Sequence, residues 1–200
     1  MKLGFIGAGN MAKAMIGGIL KNNIFKPEEV IASDLYEPGL RQAKESLGIH
    51  VTTDNKEVAR TAEVLVLSVK PQFYDAVIKE IKELITETQI IVTIAPGKTL
   101  EYLAGAFEKP VKLVRTMPNT PALVGEGITG VCRNDLVTKE ELDYICNILS
   151  GFGMAQVLSE NLMDVVVSVS GSSPAYVFML LVAMAYGAVA DGMPGLQAYQ

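Results

Sequence analysis

Six short runs rich in Val, Ile and Leu, with a longer stretch between most neighbours, constrain this chain more than any other feature. They are Lys2 to Ile6, Val30 to Ser33, His50 to Thr52, Val64 to Ser68, Ile90 to Thr93 and Val111 to Arg115. Alternation of this kind predicts a parallel sheet covered by helices, because parallel strands need crossover connections that then cover the faces. Four of the runs are almost continuously apolar, as strands buried on both faces must be. Helices are predicted at Asn10 to Leu20, Pro38 to Leu47, Asn55 to Thr61, Phe73 to Thr86 and Leu100 to Phe107. In the fourth, Phe73, Val77, Ile81, Leu84 and Ile85 recur at helical spacing while Lys79, Glu80, Lys82 and Glu83 take the other face.

After Arg115 the stretch MPNTPALVGEG reads as a long loop, with two prolines and two glycines. A strand at Ile128 to Arg133, a helix from Thr138 as N-cap to Leu149 and a strand at Gln156 to Leu158 then complete a first domain over residues 1–160. From Asn161 every segment reads as helix, so residues 161–200 are expected to begin a second, helical domain. The fold class is therefore α/β, a doubly wound and mainly parallel sheet followed by an incomplete all-helical unit.

Charge and cysteine usage exclude several function classes. Seventeen Lys+Arg against 22 Asp+Glu, with the basic residues scattered, leave no cationic footprint for nucleic acid or anionic lipid. Cys132 and Cys146 have no metal-ligand spacing and are too few for a disulfide framework, which fits a reducing, cytoplasmic setting. With His50 the single histidine, at a strand start, no His/Cys zinc site and no Ser-His pair is expected, and no metal. The uncharged stretch Pro174 to Ala190 falls short of the roughly 20 residues a membrane span needs. It is expected to be buried in a subunit interface, in a homodimer or larger homo-oligomer.

Gly7-x-Gly9-x-x-Ala12 lies directly after the first predicted strand and directly before the first helix. In that context Gly7 permits a tight turn, Gly9 lets the backbone approach a pyrophosphate, and Ala12 allows close packing of helix on strand. Unpaired amides at the helix start face the phosphates. Asp34, following the second strand 25 positions after Gly9, stands where a carboxylate accepts hydrogen bonds from adenosine ribose hydroxyls, and its charge favours NADH. Ser33 and Asn55 are uncharged donors able to meet a 2′-phosphate. Val69-Lys70-Pro71 and Ala95-Pro96-Gly97 end two further strands at the same sheet edge, where ligands of open α/β sheets sit. The rigid Asn119-Thr120 pair between Pro118 and Pro121 follows the sixth strand there. Ser173 is predicted to cap the long apolar helix, so that Ser172 and Ser173 offer a site for a substrate carboxylate.

GFIGAGNMA, SVKPQ, MPNTP and SGSSPAYVF, in this order and at these separations, resemble the pyrroline-5-carboxylate reductase family over the whole chain. The resemblance implies a Rossmann domain, a helical domain that pairs with a second subunit, and reduction of 1-pyrroline-5-carboxylate to L-proline by NADPH or NADH. By matching motif it implies that Gly7, Ala8, Gly9, Asn10 and Met11 hold the pyrophosphate and that Ser33, Asp34 and Asn55 hold the adenosine ribose. Val69, Lys70, Pro71, Ala95 and Gly97 border the rest of the cofactor, and Asn119 and Thr120 lie near the nicotinamide. Family members continue for several helices past the position of Gln200, where a Ser/Gly/Thr-rich loop supplies most substrate contacts and a proton-relay hydroxyl. This 200-residue form is thus expected to bind cofactor but to be impaired in turnover. Two other readings compete: a β-hydroxyacid dehydrogenase, which would need a lysine in a helical domain where this chain has none after Lys139, and a cofactor-binding or dimerisation module without turnover.

Overall fold

The computed structural model describes residues 2–200. Eight strands, β1 (Leu3–Ile6), β2 (Val30–Ser33), β3 (His50–Thr52), β4 (Val64–Leu67), β5 (Ile90–Thr93), β6 (Lys112–Met117), β7 (Gly127–Arg133) and β8 (Gly153–Val157), form one sheet. Their order is β3-β2-β1-β4-β5-β6-β7-β8. All neighbouring pairs are parallel except β6 with β7. Strand order reverses between β1 and β4, so their carboxyl ends open a crevice at the switch point of a Rossmann-type sheet.

The helices are α1 (Asn10–Lys21), α2 (Glu37–Leu47), α3 (Asn55–Thr61), α4 (Tyr74–Ile81), α5 (Leu100–Phe107), α6 (Lys139–Leu149), α7 (Met163–Val166), α8 (Ser173–Ala190) and α9 (Gly195–Ala198). Strand alternation divides the interior into two cores. Val64 and Val66 of β4 join Met15, Ile16, Ile19 and Ile145 on one face; Leu65 and Leu67 join Val77, Ile78, Ile81 and Leu103 on the other. Each such side chain, fully removed from water, contributes about 1.5–3 kcal/mol. Thr138 caps α6 as the sequence predicts: its side chain accepts from the Glu141 amide at 3.2 Å and its own amide donates to Glu141 Oε2 at 2.9 Å.

Several boundaries differ from the sequence reading. The helix expected over Phe73 to Thr86 is α4 alone, flanked by 3-10 turns at Pro71–Phe73 and Lys82–Leu84. The predicted loop after Arg115 is shorter, because β6 runs on to Met117 in register with Gly130 of β7, and Thr120–Val124 is a 3-10 turn. β8 begins at Gly153, not Gln156; it is a partly exposed edge strand, held by pairing to Gly127–Val131, without the apolar run that marks a buried strand.

The largest correction concerns the C-terminal part. Ser173 does not cap an isolated helix: a 3-10 turn, α7, a π-helical turn at Val167–Gly171 and α8 follow without a break. The helical run Glu160–Ala190 is 31 residues, long and apolar enough by length and composition to cross a membrane, so the sequence argument from shortness fails. Its first third is nonetheless laid against the sheet, with Met163 fully buried. Only Ala185 of α8 is buried, and Tyr176, Phe178, Met179, Leu180 and Met184 are all more than half exposed. An exposed apolar patch of this extent marks an interaction surface.

Candidate functional site

Gly7 carries φ +101°, and a Cβ there would lie 2.8 Å from the backbone carbonyl of Ser68, so both conformation and space at the end of β1 demand glycine. Gly9, which precedes α1, has nothing within 4 Å of where a Cβ would be. No side chain caps α1, so the amides of its first turn are open toward that space. A backbone cradle with room in front of it and donors aimed into it suits the two phosphates of a dinucleotide.

That space belongs to a cleft of about 700 Å³ lined by Gly9, Asn10, Met11 and Ala14 behind β1, Ser68 to Pro71 behind β4, Ile94 to Pro96 behind β5, and Met117, Pro118, Thr120 and Leu123 behind β6. Four separate strand ends thus deliver their following residues to one place, as the topology requires. Of the residues expected from sequence, Gly9, Asn10, Met11, Val69, Lys70, Pro71, Ala95 and Thr120 line the cleft. Ser68, Ile94, Pro96, Met117, Pro118 and Leu123 were not singled out as site residues. Ser68, Ile94, Pro96, Met117 and Pro118 immediately end or follow a strand, which is the signal that finds them; Leu123 becomes a neighbour only through the 3-10 turn.

Several other expected residues make hydrogen bonds within the protein. The Ala8 amide donates to Asp34 Oδ2 at 2.8 Å, so this N–H is committed within the protein and Asn10 and Met11 carry the open amides. Asp34 also accepts from the Tyr36 amide at 3.0 Å, so its carboxylate is held between the glycine turn and the chain beyond β2. Ser33 is wholly buried and its hydroxyl donates to Asn55 Oδ1 at 2.8 Å. The Asn55 amide nitrogen in turn donates to Glu80 Oε2 at 2.9 Å. Gly97 lies outside the cleft lining and takes φ +74° in the turn after Pro96.

Asn119 is buried behind the cleft. Its Oδ1 accepts from the Ile128 amide at 2.9 Å, and its Nδ2 donates to the carbonyl and hydroxyl oxygens of Ser170, both at 3.3 Å. It therefore ties the end of β6 to β7 and to the π-helical turn. Close by, a Cβ on Gly171 would lie 2.9 Å from Met117 Cε, so this turn sits directly against a cleft wall. The Ser172 hydroxyl donates to the Val167 carbonyl at 3.0 Å and so is turned back on its own helix. Lower on β6, the buried Arg115 guanidinium meets Glu160 at 3.1 Å and Asp164 at 3.2 Å, and Glu160 also accepts from the Leu100 amide at 2.8 Å.

Among the described residues no cluster of three or more His, Cys, Asp or Glu side chains is arranged to hold a metal. Cys132 is a buried thiol pushed up to about 11, chiefly by burial.

Comparison with known proteins bears on the same regions. Residues 2–97 match the family described as NADP oxidoreductase coenzyme F420-dependent, and residues 160–200 match the one described as pyrroline-5-carboxylate reductase dimerisation. The pyrroline-5-carboxylate reductase of Methanosarcina acetivorans is 41% identical over 96% of this chain and 71% of its own length. That of Escherichia coli K12 is 42% identical over 100% of this chain and 74% of its own. A crystal structure of the Plasmodium falciparum pyrroline carboxylate reductase with NADP bound superimposes with a TM-score of 0.90 at 29% identity, over 100% of this chain and 73% of that one. The glycine cradle, the converging strand ends and this likeness agree: the chain belongs to the pyrroline-5-carboxylate reductase family.

Proposed function

We infer that this chain acts as an NAD(P)H-dependent oxidoreductase reducing 1-pyrroline-5-carboxylate to L-proline, the last step of proline biosynthesis. The observation that carries the reading is the cleft at the β1/β4 switch point, with Gly9 open before it, in a member of this family. When bound, the dinucleotide supplies a hydride to the imine carbon of the substrate. A protonated imine is already electrophilic, so the protein's task is mainly orientation and exclusion of water. Asn10 and Met11 offer their amides to the diphosphate. Ile94, Ala95, Pro96, Met117, Pro118 and Leu123 form an apolar wall that keeps water from the reacting end, and Thr120 offers a polar group there. Asn119 serves as a positioning residue, since its side chain is spent on Ile128 and Ser170. For the substrate carboxylate Ser173 is preferred to Ser172, whose hydroxyl is engaged, because the turn before Ser173 touches the Met117 wall.

We further propose NADH as the preferred cofactor. The Asp34 carboxylate, anchored by the Ala8 and Tyr36 amides, would stand beside the adenosine ribose and repel a 2′-phosphate, and Asp34-Leu35-Tyr36 contains no cation to offset it. The protein divides into a nucleotide domain over residues 1–160 and a helical unit over 161–200, which pairs through the apolar surface of α8 in a cytoplasmic homodimer or larger assembly. The test is to follow oxidation of NADH and of NADPH on addition of 1-pyrroline-5-carboxylate. Faster turnover with NADH, and reversal of that order in Asp34→Ser, is the expected result; turnover of a β-hydroxyacid instead of the imine would overturn the assignment.

A further inference from the structure

Tyr74 is fully buried at the start of α4, and its hydroxyl is engaged on both sides: it donates to the Leu67 carbonyl at 2.6 Å and shares a hydrogen bond of 2.7 Å with Thr93 Oγ1. Leu67 is the last residue of β4 and Thr93 the last of β5. Just here the ladder between the two strands weakens, with the Ile94 amide reaching the Leu67 carbonyl at 3.4 Å. The Tyr74 hydroxyl takes over where the main-chain bond lengthens. Thr93 extends the connection, since its Oγ1 accepts from the Ala95 amide at 3.3 Å and its carbonyl accepts from Thr116 Oγ1 of β6 at 2.8 Å.

Leu67, Thr93 and Thr116 each lie immediately before residues that line the cleft, and Ile94 and Ala95 line it themselves. Ser68 to Pro71 follow Leu67, Ile94 to Pro96 follow Thr93, and Met117 and Pro118 follow Thr116. Thr93 and Thr116 are buried with Tyr74, and buried hydroxyls persist only when satisfied, so their geometry is tightly specified. Burial pushes the Tyr74 phenol up to about 12, so it stays protonated and remains a donor across the working pH range.

We propose that Tyr74 is a positioning residue for the dinucleotide: through Leu67 and Thr93 it sets the separation of the β4, β5 and β6 ends, and so shapes the cleft wall that the residues after those strands form. The proposal rests on the dinucleotide reading of that cleft. It separates two parts of the ligand. The diphosphate depends on Gly7, Gly9 and the start of α1, which the Tyr74 network meets through Ser68, whose hydroxyl donates to the Gly7 carbonyl at 2.7 Å, whereas the nicotinamide end would lie against the three strand ends that Tyr74 joins directly.

Tyr74→Phe retains the ring and removes the hydroxyl; Thr93→Val removes the partner hydroxyl at constant shape, and Thr93→Ser restores it. NADH and ADP are titrated by calorimetry into wild type and all three variants. Tyr74→Phe and Thr93→Val are expected to raise the Kd for NADH about fivefold or more, the scale of one lost hydrogen bond, while the Kd for ADP changes less than about twofold. Thr93→Ser should bind NADH as wild type does. If Tyr74→Phe does not fold, the two Thr93 variants give the same comparison. Equal losses for both ligands, or no loss for either, would show a merely structural hydroxyl and overturn the proposal. A wild-type protein that bound neither ligand would remove the dinucleotide reading beneath it.

Discussion

Removing Glu160 should damage this protein more than removing either Asp164 or Arg115 itself, and the reason lies in which charge is left behind. Arg115 is the one fully buried charged residue among the described residues, at 3% exposure. Its two partners differ sharply: the Glu160 side chain is 33% exposed and that of Asp164 is 88% exposed. An exposed pair is worth no more than about 1 kcal/mol, so Asp164→Asn should cost under about 0.5 kcal/mol. Glu160→Gln strands the guanidinium in the interior with only that weak partner, and breaking a buried pair costs about 3–5 kcal/mol. Water reaches Glu160, which brings the figure down to about 2–3 kcal/mol. Arg115→Met leaves two carboxylates able to turn to water and fills much of the arginine stem's volume, so it should cost only about 1 kcal/mol.

For a chain of this size 1 kcal/mol shifts the melting temperature by about 2–4 °C, so Glu160→Gln should lower it by about 5–10 °C and Asp164→Asn by no more than about 2 °C. Thermal unfolding followed by circular dichroism at one fixed protein concentration measures this, the concentration being held because any association adds to apparent stability. If Asp164→Asn matched Glu160→Gln, or Arg115→Met were the worst of the three, the argument from stranded charge would be wrong.

Other outcomes follow from the same structure. Gly7→Ala forces a side chain into φ +101° and against the Ser68 carbonyl, so it should weaken NADH binding at least about tenfold in a fluorescence titration while helical content is retained. Leu180→Glu, on the exposed surface of α8, should shift the protein toward monomer in sedimentation velocity, whereas an unchanged sedimentation coefficient would remove α8 from the interface. Because burial raises Cys132 from 9.0 to about 11, the unfolded chain releases its proton first; the neutral thiol's stability advantage is complete below about pH 9 and is lost as pH rises toward 11. Chemical denaturation across that range should show the decline in wild type and a smaller one in Cys132→Val.

Features governed by neighbours in sequence are legible in the sequence alone. The β-rich runs placed β1 to β5 within a residue, and β1, β2, β4 and β5 are buried throughout, since such a strand needs nothing but an apolar run between turns. The glycine turn was legible because strand, glycines and helix are contiguous, and Thr138 because a capping box spans four residues. What the sequence could not disclose depends on partners far along the chain. Ser33 and Asn55 are 22 residues apart and Asn119 and Ser170 are 51 apart, so their hydrogen bonds exist only once strands and helices have docked. Tyr74 looks in sequence like one more apolar position of α4, and its hydroxyl gains a role only because the fold brings the ends of β4 and β5 to it. The serine cluster before Pro174 carries every local mark of a helix start, yet tertiary packing of Arg115 and Asn119 against that segment accompanies a π-helical turn there. Local patterns determine which elements form; which polar groups meet at their ends is decided by packing, since a buried donor must find whatever acceptor the closed structure leaves within reach.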